Sequence, residues 1–91
     1  MKARAEIFKA LGHPARLAMV IELGKGSLCV RDLQALVGSD MSTVSRHLAA
    51  LRSVGLLESE KHGKRVLYSL RFGCILGFLD CVDNAIREPR A

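Results

Sequence analysis

Hydrophobic residues recur at helical spacing on both sides of a short polar break between residues 30 and 54. The apolar positions are Val30, Leu33 and Val37 before the break, and Val44, Leu48 and Leu51 after it. Such spacings are typical of helices that bury one face. The break, Gly38-Ser39-Asp40, is rich in residues that favour turns. Two short amphipathic helices joined through a glycine predict a helix-turn-helix over residues 30–54.

Two further helices are predicted before this unit, at residues 2–11 and 14–23. Gly12 ends the first in the role that glycine commonly has after a helix. His13 then stands before Pro14, which is typical of an N-cap followed by proline at the first helical position. The residues expected to face inward from the second helix are Leu17, Val20, Ile21 and Leu23.

The apolar period changes from helical to alternating between residues 57 and 70. His62-Gly63 is a turn signal between two such runs and predicts a β-hairpin. A hairpin that directly follows a recognition helix is a wing, and we expect Lys61, Lys64 and Arg65 to hold DNA phosphates there. A merely solvated hairpin tip is the alternative. Ser27-Leu28 is too short to assign, although a strand of one bridge would fit.

Residues 72–87 return to helical spacing with a broad apolar stripe. Its members are Ile75, Leu79, Val82 and Ile86, widened by Leu76, Phe78 and Cys81. This stripe is too broad for a terminal helix that packs on one small domain, so we expect residues 72–87 to dimerise together with residues 2–11. A helix that only completes the core is the alternative.

The second helix of the helix-turn-helix has an unusual polar face. Ser42, Thr43, Arg46, Ala50 and Ser53 fall on one side, and the helix contains no glutamate. Small side chains allow close approach to the major groove, where hydroxyls and guanidinium groups bond to bases and phosphates. We expect Ser42, Thr43 and Arg46 to face bases, with Ser45 and His47 at the flanks toward the backbone. An ordinary solvated helix face is the alternative.

Composition and charge support a nucleic-acid partner. The 91 residues suit one domain, and the net charge is +5. Residues 41–71 carry six lysines and arginines against two glutamates, which places +4 of that charge on the recognition unit. No apolar run reaches membrane-spanning length and the N-terminus lacks a signal-peptide pattern, so we expect a cytoplasmic protein with reduced thiols.

The order of elements and several motifs resemble the ArsR/SmtB family of winged-helix repressors. The matching pieces are LGHPARL at 11–17, LCVRDL at 28–33, STVSRHLAALRSVGLL at 42–57 and EKHGKRVLYSL at 60–70. The resemblance implies a single winged-helix domain over residues 1–91, mainly α with a small β-hairpin, in the order α-α-α-α-β-β-α. It also implies a homodimer joined by terminal helices that represses metal or metalloid resistance genes until an inducer releases the DNA.

The inducer site departs from the family pattern. The family's arsenic-type sensors carry Cys-Val-Cys-Asp-Leu where this chain has Cys29-Val30-Arg31-Asp32-Leu33, so Arg31 replaces a thiol ligand. The zinc sensors of the family use aspartate and histidine on the last helix, which here carries no histidine. A zinc site of that kind is therefore not expected.

Three cysteines remain as candidate ligands: Cys29, Cys74 and Cys81. Cys74 and Cys81 are separated by about 10 Å along a helix, too far to share one ion unless Cys74 lies in a frayed first turn. An intrahelical disulfide is excluded too, because it needs Cα atoms within about 7 Å. We therefore expect Cys29 to join Cys74 or Cys81, within a protomer or across the dimer, around a soft ion such as As(III). Cysteines that only pack in the interface are the alternative.

The predicted function is a homodimeric repressor that needs no cofactor to bind an inverted-repeat operator and is released by As(III) or another soft metal ion. A redox- or sulfide-responsive repressor of the same fold and an inducer-free DNA-binding module are the alternatives. An enzyme is not expected, because the sequence has no nucleophile, base and acid pattern.

Overall fold

The computed structural model describes residues 2–89, which form five helices and a small antiparallel sheet. The helices are α1 (Lys2–Leu11), α2 (Pro14–Leu23), α3 (Val30–Val37), α4 (Met41–Ser53) and α5 (Cys74–Arg87). The strands are β1 (Leu28–Cys29), β2 (Leu57–His62) and β3 (Arg65–Leu70). This is a winged helix-turn-helix, as the sequence predicted. None of the helices described here is long and apolar enough to cross a membrane.

Local capping interactions explain where α2 begins, where α3 ends and where α4 begins. The imidazole Nδ1 of His13 accepts the backbone N–H of Ala15 at 3.1 Å, which confirms it as the N-cap of α2. Gly38 ends α3 with φ +69°, a left-handed conformation that side chains with a Cβ rarely adopt. Asp40 then caps α4 by accepting the backbone N–H of Thr43 at 2.8 Å.

The core lies where α2, α3 and α4 meet. Its fully buried side chains include Met19, Leu33, Val44, Leu48 and Leu51. The predicted apolar faces of α3 and α4 are therefore the buried ones. Ile21 is an exception, because its side chain is 46% exposed although the sequence placed it inward.

The sheet has one more strand than the expected order of elements allowed. Its strand order is β1-β3-β2, with Leu28 opposite Tyr68 and Cys29 opposite Leu67. Strands β2 and β3 form the wing and are joined through Gly63 and Lys64, one residue later than the predicted turn at His62-Gly63. The added strand β1 places Cys29 beside the middle of β3 in the wing.

The last helix, α5, begins at Cys74, two residues after the predicted start, and none of its residues is buried. Ile75, Leu76 and Leu79 pack partly against the core. The Phe78 ring meets Phe8 of α1 edge-on at 5.7 Å between centroids. The remaining apolar surface of the α1–α5 pair stays open to solvent.

Candidate functional site

The exposed face of α4 carries the side chains predicted to read DNA. Ser42, Ser45 and Arg46 are exposed, and Thr43 is half-buried. The Arg46 guanidinium donates to the Thr43 hydroxyl at 3.4 Å, and the Ser42 hydroxyl donates to the Asp40 carboxylate at 3.2 Å. Hydrogen bonding from Thr43 lowers the pKa of Asp40, so the cap of this helix stays ionised. These contacts hold the start of the face in place.

His47 differs from the other predicted DNA-contacting residues of α4 because its side chain is buried, although it lines a groove beside Thr43 and Arg46. Its contact with the DNA backbone stays a prediction. Its side chain is only 7% exposed, and its Nδ1 accepts the Nε–H of Arg16 at 3.1 Å. Burial lowers the pKa of His47, with further lowering by the charges of His13, Arg16 and Arg46. The imidazole is therefore a neutral packing group between α2 and α4.

The basic residues of the wing divide into two groups. Lys61 and Lys64 are exposed near the hairpin tip, where they are free to approach phosphates. Arg65 is exposed as well, but its guanidinium donates to the sulfur of Cys29 at 3.5 Å. This bond raises the pKa of Arg65, and a guanidinium is in any case always protonated in proteins. The Arg65 charge therefore lies against the thiol of Cys29.

Cys29 lies at the start of α3 with two polar partners. Its thiol donates to the Asp32 carboxylate at 3.1 Å, and its backbone N–H donates to the same oxygen at 3.2 Å. The thiol bond, followed by the backbone bond, lowers the pKa of Asp32. This arrangement resembles a capping box, with Asp32 bonding back to the Cys29 N–H.

A groove of about 640 Å³ opens at Cys29. Its other lining residues are Val30, Arg31, Asp32, Lys64, Arg65 and Val66. The described lining comes from the start of α3 and from the wing, and none of it belongs to α5. The groove thus brings three cationic side chains and the Asp32 carboxylate around the thiol.

The three cysteines do not converge on one site within a protomer. Cys29 is buried at 9% exposure, whereas Cys74 and Cys81 lie exposed on α5. Among residues 2–89, no three histidine, cysteine, aspartate or glutamate side chains are grouped closely enough to hold a metal ion. A three-ligand site is therefore absent from the described part of one protomer, and the pairing of Cys29 with Cys74 or Cys81 stays a prediction.

Two residues that the sequence did not assign to the DNA-facing group lie beside that group. His13 was assigned only as a cap, and Arg16 was given no role. Both lie in the first turn of α2, next to Thr43 and Arg46 of α4. Their spacing of three residues places them on one helix face, which is the signal that was available.

Comparisons with known proteins agree with this architecture. Residues 13–59 match the model of the arsR family of bacterial regulatory proteins. The chain is 42% identical over 84 residues to a transcriptional repressor SmtB homolog of Synechocystis, covering 92% of this chain and 64% of that one. It is 41% identical over 68 residues to a cadmium resistance regulatory protein CadC homolog of Staphylococcus aureus, covering 72% and 55% of the two chains.

Solved structures give the same result. A homodimeric winged helix-turn-helix DNA-binding domain from Mycobacterium bovis matches with a TM-score of 0.83 and 27% identity, covering 91% of this chain and 80% of that one. The chain also spans about half the length of two matched regulators from Mycobacterium tuberculosis. The match to the family model and the similarity of the whole fold confirm the resemblance. The chain belongs to the ArsR/SmtB family of winged-helix transcriptional regulators, which bind DNA and are not enzymes.

Proposed function

We propose that this chain is a homodimeric repressor that binds operator DNA through α4 and the wing. The observation that carries the proposal is the α4 face, where Ser42, Ser45 and Arg46 are exposed on a helix that contains no acidic residue. Exposed hydroxyls and a guanidinium on a helix of this kind suit base edges and phosphates. Lys61 and Lys64 extend the positive surface along the wing.

The dimer is supported by apolar surface that one protomer leaves uncovered. Phe8, Phe78, Val82 and Ile86 of α1 and α5 are between 39% and 76% exposed. Large apolar side chains clustered on the surface of a small protein usually mark an interface. A second copy would cover both helices and present two recognition helices to an inverted-repeat operator with half-sites about one helical turn apart or more.

Release from DNA would be controlled at the cysteine thiols by a soft metal ion or metalloid, with As(III) as the first candidate. The CadC homolog carries cadmium resistance in its name, which supports a soft-metal inducer. Three thiolates at about 2.3 Å from one ion are not available inside one protomer, so such a site needs cysteines from both protomers. Cys74 and Cys81, exposed on the helix proposed to dimerise, are suited to that arrangement.

A second candidate function is a repressor of the same fold that responds to oxidation or sulfur transfer at Cys29 instead of to a metal ion. Cys29 lines an open groove beside the Arg65 guanidinium, where an oxidant could oxidise its thiol or a polysulfide could transfer a sulfur atom to it. In this case a modified Cys29 would weaken DNA binding through the wing, because Arg65 and Lys64 line the same groove.

The DNA-binding part is tested by fluorescence anisotropy with a labelled duplex that the wild-type protein selects from a random-sequence pool. Arg46→Ala should weaken binding by about 1–3 kcal/mol and relax sequence preference. Lys9→Ala, which removes one exposed cation from α1, is the matched control. Equal loss in both variants would mean that only overall charge matters and would contradict this docking.

The inducer is tested on the same complex in its reduced form. We expect arsenite to release the DNA from the wild type, and each single cysteine-to-serine variant to show which thiols are needed. Release by oxidant or polysulfide alone, lost only in Cys29→Ser, would favour the second candidate. Release by none of arsenite, cadmium, zinc and oxidant would reject thiol-based control.

A further inference from the structure

A polar groove of about 460 Å³ lies between the first turn of α2 and the start of α4. The polar side chains that line it are His13, Arg16, Ser39, Thr43, Arg46 and His47. They include two guanidinium groups and two hydroxyls, and no carboxylate is among them. The groove therefore has the composition of an anion site, with donors on both walls.

Arg16 supplies the strongest reason to expect an anion. Its side chain is half-buried, yet its two hydrogen bonds go to neutral acceptors, namely Nδ1 of His47 at 3.1 Å and the carbonyl of Ala10 at 3.4 Å. It forms no ion pair with a carboxylate in the described part of the chain. A partly buried cation without a counter-charge is costly unless an anion joins it.

His13 adds a donor whose proton position follows from its cap. Because its Nδ1 accepts the N–H of Ala15, the neutral ring must carry its proton on Nε2. The ring is exposed and lies 4.5 Å from the buried ring of His47, centroid to centroid. His13 can therefore donate from Nε2 without being protonated to the cation, while it continues to cap α2.

We propose that this groove holds a backbone phosphate of the DNA, with Arg16 and His13 as donors from α2. The inference rests on the proposed DNA docking of α4, since Thr43 and Arg46 belong both to the groove and to the recognition face. The occupant is proposed to be a phosphate and not a base, because one wall of the groove comes from α2 and only α4 is proposed to enter the major groove. The residues of α2 thus fix the position of the recognition helix and do not read sequence.

The central test compares His13→Asp with His13→Asn in binding the selected duplex. Aspartate and asparagine both cap helices well, so α2 should remain folded in either variant, which the melting temperature verifies. Only aspartate brings a negative charge to the groove. We expect His13→Asp to bind at least about tenfold more weakly than His13→Asn.

Lys25→Gln is the matched control for charge. It changes the net charge by the same amount as His13→Asp, but at the far end of α2, about 15 Å away at 1.5 Å per residue. Its affinity should stay within about twofold of the wild type. A loss in Lys25→Gln equal to that in His13→Asp would reduce the effect to overall charge and would overturn the assignment, as would equal affinities of the two His13 variants.

A second measurement identifies the phosphate itself. Arg16→Gln should lower the slope of log affinity against log salt by about 1 for each protomer, with a similar loss on every duplex sequence. On duplexes carrying a neutral methylphosphonate at one position in each half-site, one position should abolish the difference between wild type and Arg16→Gln. If no position does so, Arg16 is only a structural residue.

The two proposals fail differently. If Arg46→Ala weakens binding while both His13 variants match the wild type, the recognition helix docks as proposed and the groove holds no phosphate. If Arg46→Ala has no effect either, the docking of α4 itself is wrong.

Discussion

The helix-turn-helix and the last helix, α5, have equally regular apolar patterns, but the chain fully buries only the first. Leu33, Val44, Leu48 and Leu51 are at most 1% exposed, whereas no residue of α5 is buried and Ile86 is 76% exposed. Hydrophobic periodicity therefore identifies which face of a helix is to be covered, and it does not identify the covering surface. In the first region the cover is another helix of the same chain. In the second it is proposed to be another copy.

The largest predicted effect is on the free energy of unfolding and comes from the buried core of the helix-turn-helix. Leu48→Ala removes a side chain that is 1% exposed and should lower the free energy of unfolding by about 2–5 kcal/mol, because the cavity cannot fully collapse. Urea denaturation followed by circular dichroism measures this loss. The control is Leu36→Ala, at 44% exposure on α3, which should cost much less. Similar costs for both would mean that α3 has a covered outer face in solution.

A substitution on the exposed apolar surface of α5 should weaken dimerisation and leave the fold of one protomer nearly unchanged. Ile86→Asp introduces a charge at a position where the side chain is 76% exposed in one protomer. The fold of that protomer should therefore be nearly unaffected. In a dimer joined by α5, the same charge should weaken association by on the order of 2 kcal/mol. Sedimentation equilibrium of the two proteins measures this shift. An unchanged dimer would show that α5 lies outside the interface, and a monomeric wild type would reject the homodimer.

Replacing one glycine in each region by alanine should change the stability of the protein in opposite directions. Gly38→Ala should cost about 1 kcal/mol of stability, because φ is +69° there while a Cβ would meet no neighbour. Gly77→Ala also meets no neighbour within the protomer but lies inside helix α5, so it should stabilise the protein by about 0.5–1 kcal/mol. Thermal denaturation distinguishes the two signs. A loss of dimer in Gly77→Ala would instead show that a partner helix approaches this position closely.

The smallest effect concerns the pH dependence of the covered region. Burial keeps the pKa of His47 below its ordinary value of 6.5. The unfolded chain therefore binds a proton first as the pH falls through about 6.5, and the free energy of unfolding decreases toward acid and is regained above that pH. His47→Gln keeps an acceptor for Arg16 and should reduce the difference in melting temperature between about pH 7.5 and pH 5.5. If His47→Gln leaves that difference unchanged, His47 does not set the pH dependence.

Much of the fold could be predicted because its determinants are local. The bounds of α1 and α2 are those predicted, since Gly12 and the His13-Pro14 pair act on adjacent residues. Strand β1 was left unassigned because two residues carry no period, and its pairing partner Leu67 is distant in sequence. Ile21 was placed inward for a related reason, since an apolar residue near one edge of a helical stripe is buried only if a neighbour reaches it.

The site was harder to predict because its contacts join separate elements. Ser42, Ser45 and Arg46 are exposed as predicted, since the spacing within one helix determines this. The burial of His47 is not predictable from α4 alone, because it involves a contact with Arg16 of α2 that no spacing within α4 reveals. The bond between Arg65 and Cys29 links residues 36 positions apart and likewise has no sequence signature.

The short strand β1 also determines how the wing can move. Leu28 and Cys29, immediately before α3, pair with Tyr68 and Leu67 in the middle of β3, while the tip at Gly63-Lys64 projects without a neighbouring strand. The pairing therefore ties the backbone of Cys29 directly to the strand that leads to the tip, so a displacement at Cys29 reaches β3 without passing through another element. The thiol that can meet a chemical signal and the attachment point of the strand that carries the proposed phosphate contacts are thus parts of the same residue.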